Sequence, residues 1–355
     1  MQIKHSKPYI DNQDIKAIAE QTKSGNHATQ QTTIQFQNQL AKLINQKYAK
    51  ATSSGTTALH LSLLALNIKQ GDEVIIPSYV CSDVLNAVYH SKTTPILADI
   101  EENSFNISAK TIQPLITERT KAIILPHLFG IPADIEPIIE IAKKHNIPII
   151  EDCAQSLGAK YKDNTFTGSK ATISIFSFYA TKMISTGQGG MILTSSDEIK
   201  SKLDDLMTYD KKPVYTIGYN FNMTDIQAAL GLSQLKKLDK FITRRKEISK
   251  KYNQAFKNLE INLTNYPNGS YAYRYIIRLK DKESRDRLNE KLNEKGIHSG
   301  DKPVFKPLHQ YLHLPSLNFP NSEQAYNTVL SIPIYPALTD EEVDYIIDTL
   351  KDFFN

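Results

Sequence analysis

The sequence predicts an α/β protein with a large domain on a mostly parallel central sheet flanked by helices, plus a smaller C-terminal α+β domain. Short apolar runs alternate with helical segments through the first two-thirds of the chain, which is the pattern of βαβ units. Beyond about residue 255 a strand-like segment and charged helices follow. We therefore expect a large domain with an N-terminal helical arm at residues 1–245 and a small domain at residues 246–355.

The composition excludes several classes of protein. Of the 355 residues, 40% are hydrophobic and 23% charged, with a net charge of +4, which is ordinary for a globular chain. Lysines and acidic residues are interspersed, so nucleic acid is not an expected partner. No apolar run approaches the ~20 residues of a membrane span, so no membrane partner is expected. The two cysteines, Cys81 and Cys153, fit no disulfide framework and no metal spacing, which favours buried free thiols and the cytoplasm.

In chain order, apolar positions recur at helical spacing through the first fifty residues, on either side of a polar loop at 24–29. Buried strands are predicted at 74–77, 95–98, 122–126 and 148–150, with a helix at 135–145. Polar residues follow these runs, where parallel sheets bind ligands. Asp99 and His127 can be simple turn residues. Asp152 is more informative, because a partly buried carboxylate needs either a protonated heterocyclic nitrogen or an arginine or lysine beside it.

Residues 52–66, TSSGTTALHLSLLAL, can bind a phosphate group. Small hydroxylated residues and Gly55 run directly into an amphipathic helix, whose first turn offers free N–H groups and hydroxyls. An ordinary Ser/Thr helix cap is the alternative interpretation. The chain has no GxGxxG and no P-loop motif, so a dinucleotide or Walker-type site is not supported.

Residues 174–190, SIFSFYATKMISTGQGG, contain the most suggestive lysine. A predicted buried strand at 174–179 leads to Lys182 and then to a glycine-rich turn. Burying an ammonium group costs several kcal/mol, so a buried lysine usually has a function. Desolvation lowers the pKa of a lysine and frees its neutral amine for Schiff-base chemistry. The alternative is a surface lysine in a loop.

The remaining segments predict long helices. Residues 218–252 are expected to form a turn and one long helix bridging the domains, with Thr224 and Gln227 at capping-box spacing. A strand-like alternation follows at 270–279, and a charged helix at 284–295. A final helix at 339–354 has Thr339 and Glu342 in the same capping register.

Taken together, the motifs resemble the DegT/DnrJ/StrS family of sugar aminotransferases. They are SGTTALHL, GDEVIIPSY, IIEDCAQSLGAKY, FSFYATKMISTGQGG, GYNFNMTDIQAALGLSQL and LSIPIYPALTDEEV. The resemblance runs from about residue 8 to the end of the chain. It implies the aspartate-aminotransferase fold (fold type I) and pyridoxal 5'-phosphate as the cofactor.

The resemblance also implies a role for each matched residue. Lys182 matches the lysine that forms the Schiff base with the cofactor and then moves protons, and Asp152 matches the aspartate that keeps the pyridine nitrogen protonated. Gln155 matches the glutamine near the ring face and the phenolic oxygen. The residues matched to phosphate binding are Gly55, Thr56, Ser177 and Asn220. Because the asparagine matched by Asn220 belongs to the other subunit, the resemblance implies a homodimer with shared active sites.

Several positions depart from the family pattern. Cys81 stands where many relatives carry the aromatic ring that stacks on the cofactor. Either another side chain, such as Tyr79, covers that face or the cofactor is held less tightly. Gln188 replaces a usual glutamate and Asn222 a common arginine. His309 and Tyr335 lie in segments that approach the site in relatives, where His309 is either a substrate contact or a packed or solvated histidine.

We therefore predict transfer of an amino group, with glutamate as the donor, to the keto group of a nucleotide-linked sugar. The product would be an amino sugar for a surface polysaccharide or glycoconjugate. One alternative is a pyridoxal-phosphate-dependent sugar dehydratase of the same family, which Lys182 argues against because that branch typically has histidine there. The other is a non-catalytic binding or regulatory protein on the same scaffold.

Overall fold

The computed structural model describes residues 1–102, 104–300 and 302–354. Its helices are α1 (Asn12–Lys23), α2 (Gln31–Ile44), α3 (Gly55–Ala65), α4 (Ser82–His90), α5 (Ala109–Ile112), α6 (Ile135–Lys144), α7 (Asp197–Met207), α8 (Asp225–Leu235), α9 (Leu238–Phe256), α10 (Lys282–Glu294), α11 (Leu308–Tyr311), α12 (Pro320–Thr328) and α13 (Asp340–Phe354). Its strands are β1 (Tyr48–Thr52), β2 (Glu73–Pro77), β3 (Thr94–Ala98), β4 (Thr120–Pro126), β5 (Ile149–Asp152), β6 (Ile173–Ser177), β7 (Gly190–Thr194), β8 (Asn262–Leu263), β9 (Tyr275–Arg278) and β10 (Val329–Ile332).

A seven-stranded sheet with the order β1-β7-β6-β5-β4-β2-β3 forms the centre of the described chain. The strands from β6 to β3 pair in parallel, and β7 runs antiparallel to both of its neighbours. Strands β2, β5 and β7 are buried along their whole length because helices cover the sheet, and most of their residues are apolar. The predicted α/β class with a mostly parallel central sheet is confirmed. The four apolar runs form β2 to β5.

A second, smaller sheet holds the C-terminal part. It is antiparallel, with the order β10-β9-β8, and α9, α10 and α13 pack around it in a separate apolar core. Ile3 is buried in this same core and pairs with Ile297 in an isolated bridge. The division at residues 245 and 246 stays a prediction, and α9 runs across that point.

Both predicted capping boxes form. The N–H of Gln227 donates to Thr224 Oγ1 (3.3 Å), and the N–H of Glu342 donates to Thr339 Oγ1 (3.1 Å). In each pair the partner side chain accepts from the first residue's N–H, at 3.0 and 2.9 Å respectively. These caps fix where α8 and α13 begin.

The single long helix predicted over 218–252 is wrong, because the chain breaks between α8 and α9. Lys237 turns inward and its Nζ pairs with Asp11 Oδ1 (2.6 Å) and Asp14 Oδ2 (2.7 Å) on the N-terminal arm. The Asp14 carboxylate is fully buried and needs this cation. Lys237 therefore adopts φ −102° and ψ 2°, which begins a new helix instead of continuing the old one.

The described residues contain no helix that combines the length and the apolar character needed to cross a membrane.

Candidate active site

A cavity of about 320 Å³ opens at the carboxyl ends of β5 and β6, beside the start of α3. Six of the eight site residues named from the sequence lie on its wall, and Gln155 and Asn220 do not. The wall consists of Ser54, Gly55, Thr56, Leu59, Cys81, Asp83, Val84, Asp152, Ala154, Ile175, Ser177, Tyr179, Lys182 and Gln188.

The start of α3 supplies hydrogen-bond donors to the cavity. Ser54 caps the helix, because its Oγ accepts from the Thr57 N–H and Thr57 Oγ1 accepts from the Ser54 N–H, each at 3.1 Å. The N–H groups of Gly55 and Thr56 precede that bond and have no acceptor among the described residues. Two free N–H groups at a helix N-terminus, with hydroxyls around them, suit a phosphate group.

Gly55 is required by a close approach between α3 and β6. A Cβ on Gly55 would lie 2.9 Å from Ser177 Cβ and 3.2 Å from Ser177 Oγ. Any larger residue would therefore push Ser177 away from the helix start. The approach places the Ser177 hydroxyl beside the free N–H groups of the first helical turn.

Asp152 ends β5 with a buried carboxylate. Its Oδ1 accepts from the Ala154 N–H (3.0 Å), and none of the described residues donates to its Oδ2. Burial raises the pKa of the Asp152 carboxyl, against the opposing influences of the Ala154 N–H and the positive charge of Lys182. A further cation at Oδ2 would stabilise the carboxylate, so the site fits a protonated ring nitrogen.

Lys182 stands on the loop after β6, on the same cavity wall. The strand ends at Ser177, two residues earlier than predicted, and Lys182 is half-buried instead of buried. Its Nζ lies 5.7 Å from the ring centroid of Tyr273 and makes no ion pair within the described residues. The amine is therefore free to react with a group in the cavity.

The glycine-rich turn after Lys182 packs this loop against the start of α3. A Cβ on Gly190 would lie 2.3 Å from the carbonyl oxygen of Ser54, so only glycine fits there. The carbonyl of Gln188 accepts from Thr186 Oγ1 (2.5 Å) and from Gln227 Nε2 (2.9 Å). The Gln188 backbone is thus fixed to α8, while the residue also lines the cavity.

Two expectations about the cavity wall are corrected. Cys81 is exposed on the wall, not buried, whereas Cys153 is buried as expected. Tyr79 does not line the cavity but packs in the core, stacked on Phe105 with the ring centroids 6.3 Å apart. Tyr79 therefore leaves the cavity face to the smaller side chains of Cys81 and Val84.

Gln155 and Asn220 are held outside the cavity. Gln155 Oε1 accepts from the Phe129 N–H (3.0 Å), and Phe129 has a φ of 58° in the left-handed region. Gln155 thus stabilises a strained turn next to the site. Asn220 is exposed, and its Oδ1 accepts from Asn222 Nδ2 (3.3 Å). The contribution of Asn220 to a second subunit stays a prediction.

Three polar residues considered above are held by packing and hydrogen bonds outside the cavity, namely His309, Tyr335 and Asp99. His309 is fully buried, with Nδ1 2.6 Å from Ser78 Oγ and Nε2 2.7 Å from Glu323 Oε1. Of the two interpretations of His309, the packed histidine is therefore correct. Asp99 accepts from two N–H groups in the first turn of α12, and Tyr335 is buried in the C-terminal core.

A buried network holds the end of β5 in place. His127 Nδ1 accepts from the Ala133 N–H (3.0 Å), so Nε2 carries the proton that faces Glu151 Oε2 (3.1 Å). Burial acts to raise the pKa of Glu151, but hydrogen bonds from His127, Tyr161 and a backbone N–H hold it below its usual value. The donors to the Glu151 carboxylate are His127 Nε2, Tyr161 Oη and the N–H groups of Gly168, Lys170 and Ala171.

Sequence reasoning missed Asp83 and Tyr179, which also line the cavity. Asp83 lies in the first turn of α4 and Tyr179 on the loop between β6 and Lys182. The available sequence signal for Tyr179 was its position between Ser177 and Lys182. Asp83 lies two positions after Cys81, which was named from the sequence, so proximity along the chain was the available signal for Asp83 as well.

Comparison with known proteins gives a consistent set of relatives. Residues 8–351 match the model of the DegT/DnrJ/EryC1/StrS aminotransferase family. GDP-perosamine synthase of Escherichia coli O157:H7 is 36% identical over 329 residues, which are 90% of this chain and 89% of that protein. A Streptococcus pneumoniae protein described as a sugar aminotransferase, solved in its PLP form, is 28% identical with a TM-score of 0.93 over 99% of this chain and 98% of that one. PseC of Helicobacter pylori, an aminotransferase involved in pseudoaminic acid biosynthesis, is 28% identical with a TM-score of 0.92 over 100% and 99% of the two chains.

Proposed function

Because the chain belongs to the DegT/DnrJ/EryC1/StrS aminotransferase family, we propose that it transfers an amino group from glutamate to the keto group of a nucleotide-linked sugar. It is a sugar aminotransferase of fold type I that depends on pyridoxal 5'-phosphate. The observation that carries the proposal is one cavity that combines an unpaired lysine, a buried carboxylate and a helix N-terminus. The product would be an amino sugar for a surface polysaccharide or glycoconjugate, and a Bacillus subtilis relative that is 32% identical is named spore coat polysaccharide biosynthesis protein SpsC.

The residues on the cavity wall suit three groups of the cofactor, namely its phosphate, its ring nitrogen and the carbon that would bond to a lysine. The free N–H groups of Gly55 and Thr56 and the hydroxyl of Ser177 would bind the phosphate. Asp152 would hold the protonated ring nitrogen through Oδ2, and Lys182 would be the point of covalent attachment. When bound there, pyridoxal phosphate supplies an electron sink for the bonds at the reacting carbon.

Lys182 is the proposed general acid and base. Lys182 lines the cavity and has no ion-pair partner among the residues that the structure describes, so its Nζ can take a proton from the substrate carbon and return one to a neighbouring carbon. Asp152 would stabilise positive charge on the cofactor, and this interaction would be stronger in the buried site than in water. The apolar side chains of Leu59, Val84 and Ile175 limit the water that reaches these groups.

We also propose a homodimer whose active sites are shared. Asn220 lies outside the cavity of its own chain, which suits a residue that serves the neighbouring subunit. The segment before it presents Val214, Tyr215 and Ile217 to solvent, with exposed fractions of 75%, 90% and 65%. Apolar side chains this exposed are typical of an interface.

The unpaired thiols of Cys81 and Cys153 support a reducing compartment such as the cytoplasm.

The proposal is tested by Lys182→Ala with Lys162→Ala, an exposed lysine, as the matched control. We expect Lys182→Ala to abolish amino transfer and to prevent borohydride from fixing the cofactor to the protein, while the control keeps both. Retained transfer by Lys182→Ala would exclude the proposed role of this amine.

The substrate is identified by screening dTDP-, UDP- and GDP-linked keto sugars, with the ketone at C3 or C4, in the presence of glutamate. Formation of the amino sugar together with 2-oxoglutarate supports the proposal. Consumption of the sugar without transfer of nitrogen would favour the dehydratase. Failure to bind pyridoxal phosphate at all would favour a binding or regulatory protein.

A further inference from the structure

A second, smaller cavity of about 40 Å³ lies beside the loop that carries Lys182. We call it the arginine pocket, and its functional lining is His5, Thr181, Arg245, Tyr273, Arg274 and Ser331. Since one water molecule takes up roughly 30 Å³ of liquid, the pocket can hold a group of a few heavy atoms but not a sugar ring.

Arg245 is a buried cation without a counterion. The residue is 3% exposed, and its Nη1 donates to the carbonyl oxygens of Tyr273 (2.8 Å), Ile334 (2.8 Å) and Ala272 (3.3 Å). Its Nε is buried with no hydrogen-bond partner, and no carboxylate of the described chain pairs with the guanidinium. A charge buried in this way costs free energy unless an anion joins it.

Arg274 adds a second unpaired guanidinium. It is half-buried, and its side chain makes neither a hydrogen bond nor an ion pair within the residues that the structure describes. A Cβ on Gly300 would lie 3.0 Å from His5 Nε2 and 3.4 Å from Arg274 Nη1. Glycine at this position therefore leaves room next to both groups.

The neighbouring titratable groups report the positive potential of the pocket. Burial, together with the charges of Arg274 and Arg245, lowers the pKa of His5 to about 3, so His5 is neutral. Burial acts to raise the pKa of Tyr273, yet the charges of Lys182 and the two arginines bring it below its usual value. The positive potential of the pocket therefore comes from its arginines and not from His5, which is neutral.

Tyr273 connects the pocket to the reacting amine. Lys182 Nζ lies 5.7 Å from the centroid of the Tyr273 ring, and Arg245 Cζ lies 5.6 Å from the same centroid. The Tyr273 hydroxyl donates to the carbonyl oxygen of Thr181 (3.2 Å), which is adjacent to Lys182 in the chain. The Tyr273 ring is thus a shared neighbour of the reacting amine and the arginine pocket, and a donor side chain of a few carbons would have to pass this ring to enter the pocket.

We propose that the arginine pocket binds the side-chain carboxylate of the amino donor, and thereby selects glutamate over neutral amino acids. The inference rests on the proposed function and names the residues that would recognise its donor. A carboxylate matches the pocket in size and charge, and a guanidinium fork can donate to both of its oxygens. The α-carboxylate of the donor is attached directly to the reacting carbon and therefore stays near Lys182. Only the side-chain carboxylate would enter the arginine pocket.

The test compares Arg274→Gln with Arg278→Gln in the holoenzyme. Arg278 is a half-buried arginine at the end of β9, the strand that begins directly after Arg274, but it binds the Glu102 carbonyl and Gln324 and does not line the pocket. For Arg274→Gln we expect the KM for glutamate in the first half-reaction to rise by roughly 10- to 100-fold, the loss typical of one charge-assisted hydrogen bond. The KM for glutamine, which is isosteric but neutral, should change little, and Arg278→Gln should behave like the native protein.

A binding measurement makes the test independent of turnover. Calorimetry with glutarate, which has both carboxylates but no amine, should show binding to the native holoenzyme and weaker binding to Arg274→Gln by a similar factor. Arg274→Lys keeps the positive charge but loses the guanidinium fork, so its affinity for glutarate should lie between those of the native protein and Arg274→Gln. It replaces Arg274→Gln in the test if that variant does not fold. Unchanged glutamate KM and glutarate affinity in these variants would overturn the inference.

The two proposals fail in different ways. If the native protein transfers nitrogen from glutamine or alanine with the same kcat/KM as from glutamate, the aminotransferase stands and the donor selectivity of the arginine pocket is wrong. If no amino acid donates nitrogen to any keto sugar, the proposed function is wrong, and glutarate calorimetry still decides whether the pocket binds carboxylates.

Discussion

Gly55 is the residue of the site at which the smallest change should have a measurable effect. An alanine Cβ there would lie 2.9 Å from Ser177 Cβ, closer than packed carbon atoms allow. We expect Gly55→Ala to lower the free energy of unfolding by about 1–3 kcal/mol, the usual cost of overpacking, and to weaken binding of pyridoxal phosphate. Urea denaturation and cofactor titration measure the two effects.

The double variant Gly55→Ala/Ser177→Gly identifies the cause. Ser177→Gly removes both atoms that the new Cβ would strike, so the double variant should be more stable than the sum of the two single changes predicts. Strict additivity of the two losses would mean that the contact between α3 and β6 does not limit residue 55.

At the scale of elements, the end of β5 depends on the buried carboxylate of Glu151. Glutamine would place an amide NH2 among five hydrogen-bond donors, so we expect Glu151→Gln to lower the free energy of unfolding by about 3 kcal/mol at pH 7. Glu140→Gln, at an exposed position on α6, is the matched control and should change stability little.

The same variant has a defined pH dependence. Burial works to raise the pKa of Glu151, but its hydrogen bonds, chiefly that from His127, hold it below the unfolded value of about 4.3. The stabilisation is therefore fully present above that value and is lost as the pH falls through the lower folded pKa. Denaturation curves at pH 7 and in acid measure the free energy of unfolding of the native protein and of Glu151→Gln. The difference between the two free energies should be smaller in acid. A difference that is constant with pH would indicate a packing effect.

The junction between α8 and α9 depends on Lys237. Lys237→Met would leave the fully buried Asp14 carboxylate without its cation, so we expect a loss of about 3–5 kcal/mol in the free energy of unfolding. Lys236→Met, one residue earlier and exposed, controls for the loss of a lysine. Equal stability of the two variants in urea denaturation would show that the ion pair with the N-terminal arm is not what breaks the helix.

At the scale of the whole molecule, the proposed shared site can be tested by mixing two defective chains. Lys182→Ala removes the amine, and Asn220→Asp would place a negative charge near the partner's phosphate. If each site takes Lys182 from one subunit and Asn220 from the other, a hybrid dimer contains one native site. An equal mixture should therefore recover about a quarter of the native activity, because half of the randomly paired dimers are hybrids.

Light scattering during chromatography shows whether the species are dimers, and native mass spectrometry identifies the hybrids, because Lys182→Ala and Asn220→Asp change the mass of a chain by different amounts. Activity no greater than the average of the two separate variants, in a mixture that contains hybrid dimers, would show that Asn220 serves its own chain or no site at all.

Short-range patterns in the sequence were enough for the fold class and for much of the candidate site. Apolar runs of three to five residues produce β2 to β5, because a strand covered on both faces is mostly apolar. Capping boxes depend on residues three positions apart, and both form as predicted. Six of the eight predicted site residues line one cavity, since strand ends and helix starts in a parallel sheet meet at a common edge.

Features that depend on residues far apart in the chain needed the tertiary structure. Lys237 breaks a helix because Asp11 and Asp14 lie beside it, more than 220 positions earlier in sequence. Ile3 packs in the C-terminal core, although it lies near the start of the chain. The arginine pocket likewise brings His5 next to Arg245 and Arg274. By itself, the sequence determined the class of fold and the lysine, carboxylate and helix start of the site. The tertiary structure alone decided which distant charges meet, because a contact energy exists only once folding has brought its two partners together.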